Sequence, residues 1–390
     1  MKRSTILANL LFFVFFIFFC LPCHVKADDA IPDPNQKTSI VEVQVLSISK
    51  EEGTVSSGTN LKVPLHTFTV KIISGENSGS TVQITNDLTR TYVGDKFFAE
   101  HIIDISTGKD SYIFVEHSRL NILLGLFLLF IITLALFGGW QGLRALITLL
   151  GSIGLIIYIL IPGITHGISP ILLSIGVASL IIIVGSYITH GFNKTTTSAI
   201  IGMLVTILIT GYIANFVTHA AQLGGITSDT DAYLMTAMNG TLDFQGLLLG
   251  GILIGLLGVL YDIAISQAIS VEELIRANQD MSVQMLYQRA IRIGREHIGA
   301  LVNTLAIAYV GVSLPLLLYF FIGPVGPVAP VIYTINHELF ATEIIRTLVG
   351  SIGLILAVPI TTFITISFLK KGDSFSFWKN EVGEILKIKK

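Results

Sequence analysis

Seven long apolar runs constrain this chain more than any other feature. Each has about 20 residues or more, the length that an α-helix needs to cross the roughly 30 Å hydrocarbon core of a bilayer. The whole sequence is 52% hydrophobic and 13% charged, whereas a soluble domain has about 25% charged residues. A single water-soluble globule is therefore excluded. The predicted spans are 120–138, 143–162, 170–189, 197–217, 245–269, 299–322 and 344–368.

The N-terminus resembles a secretory signal. Lys2 and Arg3 precede an apolar stretch that reaches Leu21, and cleavage is expected after Ala27, which makes 1–27 a signal peptide. An uncleaved signal anchor is the stronger alternative, and a lipoprotein at Cys23 is the weaker one. The cleaved and anchored forms both place the following segment outside the cell. The only cysteines are Cys20 and Cys23, so no thiolate metal site or disulfide framework is expected downstream.

Residues 28–118 differ in composition from the rest of the chain, because charged residues return and apolar residues alternate with polar ones. This alternation is typical of half-buried strands. We expect about five strands forming a small extracytoplasmic β domain, barrel-like in the manner of an OB fold or open as a sandwich. The strand segments are 41–45, 67–72, 81–85, 97–99 and 112–116.

The distribution of Lys and Arg predicts the topology of a polytopic α-helical membrane protein. With the β domain outside the cell, the loops on the cytoplasmic side and the basic tail at 370–390 carry 12 Lys and Arg residues. The three opposite loops, 162–170, 218–244 and 322–343, carry none. This asymmetry indicates a protein of the cytoplasmic membrane with seven spans within 119–369 and a cytoplasmic C-terminus. A cytoplasmic amphipathic helix is predicted at 282–298, lying along the inner leaflet.

Asp262 is the first candidate for a functional residue, because a charged side chain at the centre of a membrane helix costs about 2.5–3.5 kcal/mol. It shares one face of its span with Gly251, Gly255 and Gly258. A small polar face of this kind suits close helix packing or a solute path, and both alternatives stay open here. The candidate intramembrane polar site consists of Asp262, Ser266, Gln267, Asn303 and Thr304.

A second candidate is an outer vestibule at Glu343 and Arg346. Arg346 lies near the outer start of the last span, most of a membrane away from Asp262. Glu343 is one helical turn earlier and is the expected ion-pair partner of Arg346. The pair is interpreted as an interface anchor or as a site for an anionic solute.

Several chemical functions are excluded by missing motifs. No P-loop, HExxH, GxSxG or dinucleotide fingerprint occurs, so we expect neither an enzyme nor a bound cofactor. The histidines lack the tight spacing of metal ligands, so no metal site is expected. The net charge of −2 makes a nucleic-acid partner improbable.

Several segments, read in order, resemble the YibE/F-like family of bacterial multi-pass membrane proteins. The resemblance covers nearly the whole mature chain and implies its architecture rather than an activity. Many members carry two adjacent acids where this chain has Tyr261 before Asp262, which argues against a carboxylate-pair mechanism. The segments are 70–75 and 93–96, Trp140-Gln141-Gly142-Leu143-Arg144, 187–192, 255–262, 266–268, Gly294-Arg295-Glu296-His297-Ile298, 302–305 and 343–353.

Two functions follow as hypotheses. The first is a small-solute or ion permease, or a component of one, in which the Asp262 face lines the path. The alternative is a non-transporting membrane scaffold or envelope sensor that acts through its β domain. The expected partners are the lipid bilayer, an unidentified small solute or ion, and either a membrane-protein partner or a second copy of the chain.

Overall fold

The computed structural model describes residues 36–51, 65–86, 91–322 and 331–370. The predicted signal peptide and nearly all of the basic tail lie outside the described residues. The chain divides into two compact units, with the boundary between Phe137 and Gly138. The first unit contains a β-sheet and the second is helical, and each is described by itself.

The β unit is a five-stranded antiparallel sheet with the strand order β3-β2-β1-β4-β5. It confirms the small β domain that the alternating pattern predicts. The alternation places one side of each strand in a shared core, which contains Val43, Val70, Ile84 and Phe97. The strands are β1 (Gln36–Glu51), β2 (Leu65–Ile72), β3 (Thr81–Asn86), β4 (Lys96–Asp104) and β5 (Lys109–His117).

The turn between β4 and β5 is built by Asp104. Its carboxylate accepts hydrogen bonds from the Ser106 hydroxyl at 2.5 Å, the Ser106 amide at 2.8 Å and the Thr107 amide at 3.1 Å. These bonds favour the ionised carboxylate and lower the pKa of Asp104 to about 2. An Asx turn of this kind explains why the two strands pair without a longer loop.

Helices dominate the rest of the described chain. Asn193, Ser228, Asp243 and Ser282 each cap the helix that follows them with a side-chain oxygen. The helices are α1 (Leu120–Leu155), a π-helical turn (Ile156–Leu160), α2 (Ile161–Thr165), α3 (Pro170–His190), α4 (Lys194–Ala220), α5 (Asp229–Ala237), α6 (Phe244–Ala277), α7 (Val283–Val312), α8 (Leu314–Ile322), α9 (Val331–Asn336) and α10 (Glu338–Leu369).

The described residues contain five helical stretches that are long and apolar enough to cross a membrane. A sixth arises if α7 and α8, which meet at a bend of 57°, form one span. The long apolar helices support a membrane protein, but the predicted count of seven spans is not confirmed. The first two predicted spans fall within one stretch of 46 residues, Leu120–Thr165. Gly139 interrupts its helical geometry with a φ of 53° and a ψ of −140°.

The predicted amphipathic helix at 282–298 and the predicted span at 299–322 are arranged differently from the expectation. The first begins at Ser282, the N-cap of α7, and the second begins within α7, which runs without interruption from Val283 to Val312. Arg289, Arg292 and Arg295 are exposed along its first half, while Leu286 and Ala290 are buried. The amphipathic pattern is therefore present, but it belongs to the start of a longer helix.

The core of the helical unit lies where α4, α6 and α10 meet. Small and hydroxyl-bearing residues at four-residue spacing let α4 and α10 approach closely. The Ser198 hydroxyl donates to Thr365 Oγ1 at 3.0 Å. A Cβ atom on Gly202 would lie only 2.6 Å from Thr361 Oγ1 and 3.1 Å from its Cα. We call this contact the closed seam; its buried members are Ser198, Gly202, Thr206 and Thr210 on α4 and Gly353, Ala357, Thr361 and Thr365 on α10.

Candidate functional site

The small polar face predicted on α6 is mostly exposed, and α7 approaches it at one glycine, where a Cβ on Gly255 would lie 2.9 Å from the Tyr309 hydroxyl oxygen. Gly251, Gly255, Gly258 and Asp262 are all exposed, and Ser266 is half-buried. No atom outside the local helix would lie within 4 Å of a Cβ on Gly251 or Gly258. We call the residues Gly251, Gly255, Gly258 and Asp262 the open face. Both packing and opening are compatible with its sequence pattern, and within the described residues it is open except beside Tyr309.

Asp262 lies near the middle of α6. It is 18 residues after Phe244 and 15 before Ala277, which places it about 27 Å and 22 Å from the two helix ends at about 1.5 Å per residue. Its side chain lines a cavity of about 490 Å³ bounded by α1, the π-helical turn, α3 and α6. The polar residues of this cavity are Thr148, Ser152, Thr189, Tyr261 and Asp262, and the remaining lining is aliphatic or glycine. We call it the Asp262 cavity.

The hydroxyl groups of the Asp262 cavity are largely satisfied by neighbours. Thr148 Oγ1 and Thr189 Oγ1 are 3.1 Å apart, and the Ser152 hydroxyl donates to the Thr148 carbonyl at 2.8 Å. The Tyr261 hydroxyl lies 3.5 Å from the carbonyl oxygen of Gly185. The Asp262 carboxylate forms no hydrogen bond or ion pair with another described residue, so it is the polar group of the cavity that is left for a solute.

His190 is the titratable imidazole that interacts electrostatically with Asp262. It ends α3, and its ring centroid lies 5.8 Å from that of Tyr261. The sequence analysis did not connect His190 with Asp262, because 72 residues separate them. The imidazole lies outside the lining of the Asp262 cavity and instead borders a smaller cavity of about 130 Å³ with Thr195 and Glu272.

Gln267 lies on the opposite, buried side of α6 and serves a different purpose. Its amide nitrogen donates to the Ala290 carbonyl at 2.9 Å and to Thr362 Oγ1 at 2.7 Å. One fully buried side chain thus ties α6 to α7 and α10. The structure does not bring Gln267 together with Asp262, although only five residues separate them.

Asn303 and Thr304 lie on α7, as expected for residues that follow the cytoplasmic segment, but both are exposed. The Thr304 hydroxyl donates to the Ala300 carbonyl of its own helix at 2.9 Å. Neither side chain contacts Asp262 or Gln267 through a hydrogen bond among the described residues. The predicted polar site is therefore divided among three surfaces.

Glu343 and Arg346 form the predicted ion pair, with Oε1 and Nη1 3.0 Å apart on α10. Glu343 lines a separate cavity of about 220 Å³ between α7, α8 and α10, together with Tyr309 and Ser313. The lining is otherwise mostly apolar. Because the positive charge of Arg346 is already paired, the geometry suits an anchor of α10 better than an anion site.

The sequence analysis missed the polar residues that face Asp262 from α1 and α3. Thr148, Ser152 and Thr189 are hydroxyl residues in apolar spans, where such residues are usually expected to bond to their own helix. Their position relative to Asp262 depends on which helices are neighbours. No group of three or more His, Cys, Asp or Glu side chains suited to a metal ion occurs within the described ranges.

A comparison with protein-family models tests the family resemblance that the sequence segments indicated. A family model described as YibE/F-like protein matches residues 126–371, more than half of the chain. The chain belongs to the YibE/F-like family. The matched segment contains every residue of the Asp262 cavity and begins after the β-sheet. No curated protein and no solved structure matches the chain.

Proposed function

We propose that this YibE/F-like protein is a small-solute or ion permease, or a component of one, in the cytoplasmic membrane. The Asp262 cavity is the solute site. The observation that carries the proposal is an exposed carboxylate, near the middle of a long apolar helix, that lines a cavity with largely apolar walls. An acid at this depth is costly in a bilayer, and such residues commonly mark solute or proton pathways.

The packing around α6 supports this proposal. One side of α6 is fixed by the core with α4 and α10 and by the hydrogen bonds of Gln267, whereas the side with Asp262 borders the Asp262 cavity. A rigid side and an open side on one helix are what a solute path along α6 requires. In this proposal the C-terminus is cytoplasmic and the β unit lies outside, as the distribution of Lys and Arg predicts.

The proposal includes no covalent chemistry, no cofactor and no nucleic-acid partner. The lipid bilayer surrounds the helices, and a second copy of the chain or another membrane protein is a candidate partner. The residues of the Asp262 cavity indicate the charge of the solute and do not identify a particular compound.

The first test asks whether water reaches the Asp262 cavity, and it requires no knowledge of the substrate. Gly258→Cys is introduced into a full-length variant with Cys20→Ala and Cys23→Ala, and a membrane-impermeant maleimide is applied from each side in turn. We expect labelling at position 258, because maleimide reacts with a hydrated thiolate. Leu208→Cys is the matched control: Leu208 is 57% exposed on α4, and it should stay unlabelled because it faces lipid.

Protection of the cysteine at position 258 from both sides would contradict the proposal. Where labelling occurs, Asp262→Asn in the parent chain tests the role of the carboxylate. Proteoliposomes should lose most uptake of rubidium or tetraphenylphosphonium, whichever the parent protein transports, while the thermal unfolding temperature stays unchanged. Uptake that is equal in Asp262→Asn and the parent protein would remove Asp262 from the path.

The alternative of a scaffold or envelope sensor is favoured by one feature of the β unit. Its outer side exposes Ile40, Phe98, Ile113 and Val115 on the adjacent strands β1, β4 and β5. Apolar residues grouped on an exposed sheet face are typical of an interaction site. Under this alternative the cysteine at position 258 is protected from both sides, so the same labelling experiment distinguishes the two functions.

A further inference from the structure

The lining of the Asp262 cavity contains one charged residue, which is Asp262 itself. Among the residues that line the cavity, Asp262 is the one carboxylate, and no Lys, Arg or His joins it, because His190 borders the smaller cavity instead. A lone negative charge in apolar surroundings is poorly solvated, and a bound positive charge would compensate for it. An anionic solute would meet like charge, and a neutral apolar solute would leave the carboxylate unpaired.

The size and the walls of the cavity restrict the solute further. A volume of about 490 Å³ lies in the range of sites for drug-sized ligands. Divalent ions such as Ca²⁺ need about six to eight oxygen ligands at short range, whereas this cavity offers one carboxylate and hydroxyl groups that are mostly bonded to each other. The nine remaining lining residues are aliphatic or glycine, and they would contact a hydrocarbon body.

Tyr261 adds a preference for a diffuse cation. Tyr261 lines the same cavity, and it directly precedes Asp262 in α6. The face of an aromatic ring attracts a cation most strongly when the cation is weakly hydrated, as quaternary ammonium and phosphonium groups are.

We infer that the Asp262 cavity binds organic monocations with an apolar body. Asp262 supplies the counter-charge, Tyr261 contacts the cationic centre, and the aliphatic walls from α1, α3 and α6 cover the hydrocarbon part. The inference rests on the proposed function in taking this cavity as the solute site, and it adds the chemical class of the solute.

The test measures binding rather than transport. Full-length protein in lipid nanodiscs is dialysed to equilibrium against radiolabelled tetraphenylphosphonium, and binding to empty nanodiscs is subtracted. We expect saturable binding that falls by about tenfold or more in Asp262→Asn, because loss of one partner from a desolvated charge pair is costly. Glu296→Gln makes the same change in charge at an exposed position on α7 and should bind like the parent protein.

Further variants separate a binding role from a folding role. Asp262→Glu keeps the charge and should keep most of the affinity. Tyr261→Phe keeps the ring and should bind nearly normally, whereas Tyr261→Leu should weaken binding by about threefold to tenfold through loss of the cation–π contact. Each variant is used only as a well-folded sample, as judged by size-exclusion chromatography and thermal unfolding.

Two comparison ligands define the outcomes that overturn the inference. Tetraphenylborate has the same shape and the opposite charge, so equal saturable binding of both ions would exclude a role for the carboxylate. Methylammonium has the charge without the apolar body, so binding of methylammonium and not of tetraphenylphosphonium would exclude the apolar class. Equal binding of tetraphenylphosphonium by Asp262→Asn and the parent protein would also overturn the inference.

Failure of the inference and failure of the proposed function give different results. If rubidium uptake depends on Asp262 while tetraphenylphosphonium does not bind, the permease stands and the solute class is wrong. If tetraphenylphosphonium binds through Asp262 while the cysteine at position 258 is protected from both sides and no uptake occurs, the site is real and the permease is wrong.

Discussion

The closed seam and the open face are two stripes of small residues that differ in how closely another helix packs against them. In the closed seam, Ser198 and Gly202 of α4 meet Thr365 and Thr361 of α10 at close range. On the open face of α6, Gly251 and Gly258 border open space, and the stripe ends in Asp262. Small residues at helical spacing therefore permit close approach, but a second stripe of matching small residues is needed to bring it about.

The largest test of this contrast is one substitution made on both stripes. Gly202→Leu should destabilise the protein by about 3 kcal/mol or more, because the new side chain must displace Thr361 from a packed contact. Gly251→Leu adds the same side chain where no atom lies within 4 Å, and it should cost little. The free energy of unfolding, measured by denaturant titration in detergent, gives the comparison.

The result for Gly251→Leu decides how the open face is interpreted. A change near zero agrees with a face that another described helix does not cover at Gly251. A loss as large as that of Gly202→Leu would mean that the face is packed in the folded protein, and the contrast between the two stripes would disappear. Normal size-exclusion behaviour of Gly202→Leu with unchanged stability would contradict the closed seam.

A smaller and more local test uses two adjacent residues of α6. Gln267→Ala should cost about 2 kcal/mol, because it removes a fully buried side chain and its hydrogen bonds to α7 and α10. Ser266→Ala changes the half-buried neighbour toward the open face and should stay within about 0.5 kcal/mol. Chemical denaturation of both variants in the same detergent measures the difference.

Equal losses from Gln267→Ala and Ser266→Ala would show that α6 has no distinct rigid side. A stable Gln267→Ala protein that had lost uptake would instead place Gln267 in the solute path. We expect instead that Gln267→Ala lowers the stability of the protein. Uptake should then fall only as far as the amount of folded protein falls.

The sequence predicted the elements better than it predicted their neighbours. Alternation identified the strands because the sheet has one buried side, and apolar length identified the membrane helices because each must satisfy its own backbone. Apolar length did not determine the number of membrane spans. Apolar length alone does not say whether the residues on either side of Gly139 form two spans or one interrupted stretch.

The sequence predicted one residue of the candidate site, Asp262, but it did not predict the residues that surround Asp262. Asp262 stood out because an acid in an apolar run is costly, whereas Gln267 has a polar side chain in a similar run and turns out to be a buried tie between helices. Which of the two faces a cavity depends on the rotation of α6 within the bundle. That rotation is set by packing with α4 and α10, and the pattern of a single helix does not contain it.

The smallest expected effect concerns Asn303, which tests whether the exposed side of α7 is covered in the folded protein. Asn303→Leu should leave the free energy of unfolding within about 0.5 kcal/mol, because the amide makes no hydrogen bond with another described residue and a leucine is well accommodated by lipid. Ser198→Ala, which removes the hydrogen bond to Thr365 in the closed seam, should cost about 1 kcal/mol and serves as the contrast. A loss from Asn303→Leu that exceeded the loss from Ser198→Ala would mean that Asn303 has a partner. A parallel fall in molecular mass by light scattering would identify this partner as a second copy of the chain, and unchanged mass would point to a solute or lipid at the exposed side of α7.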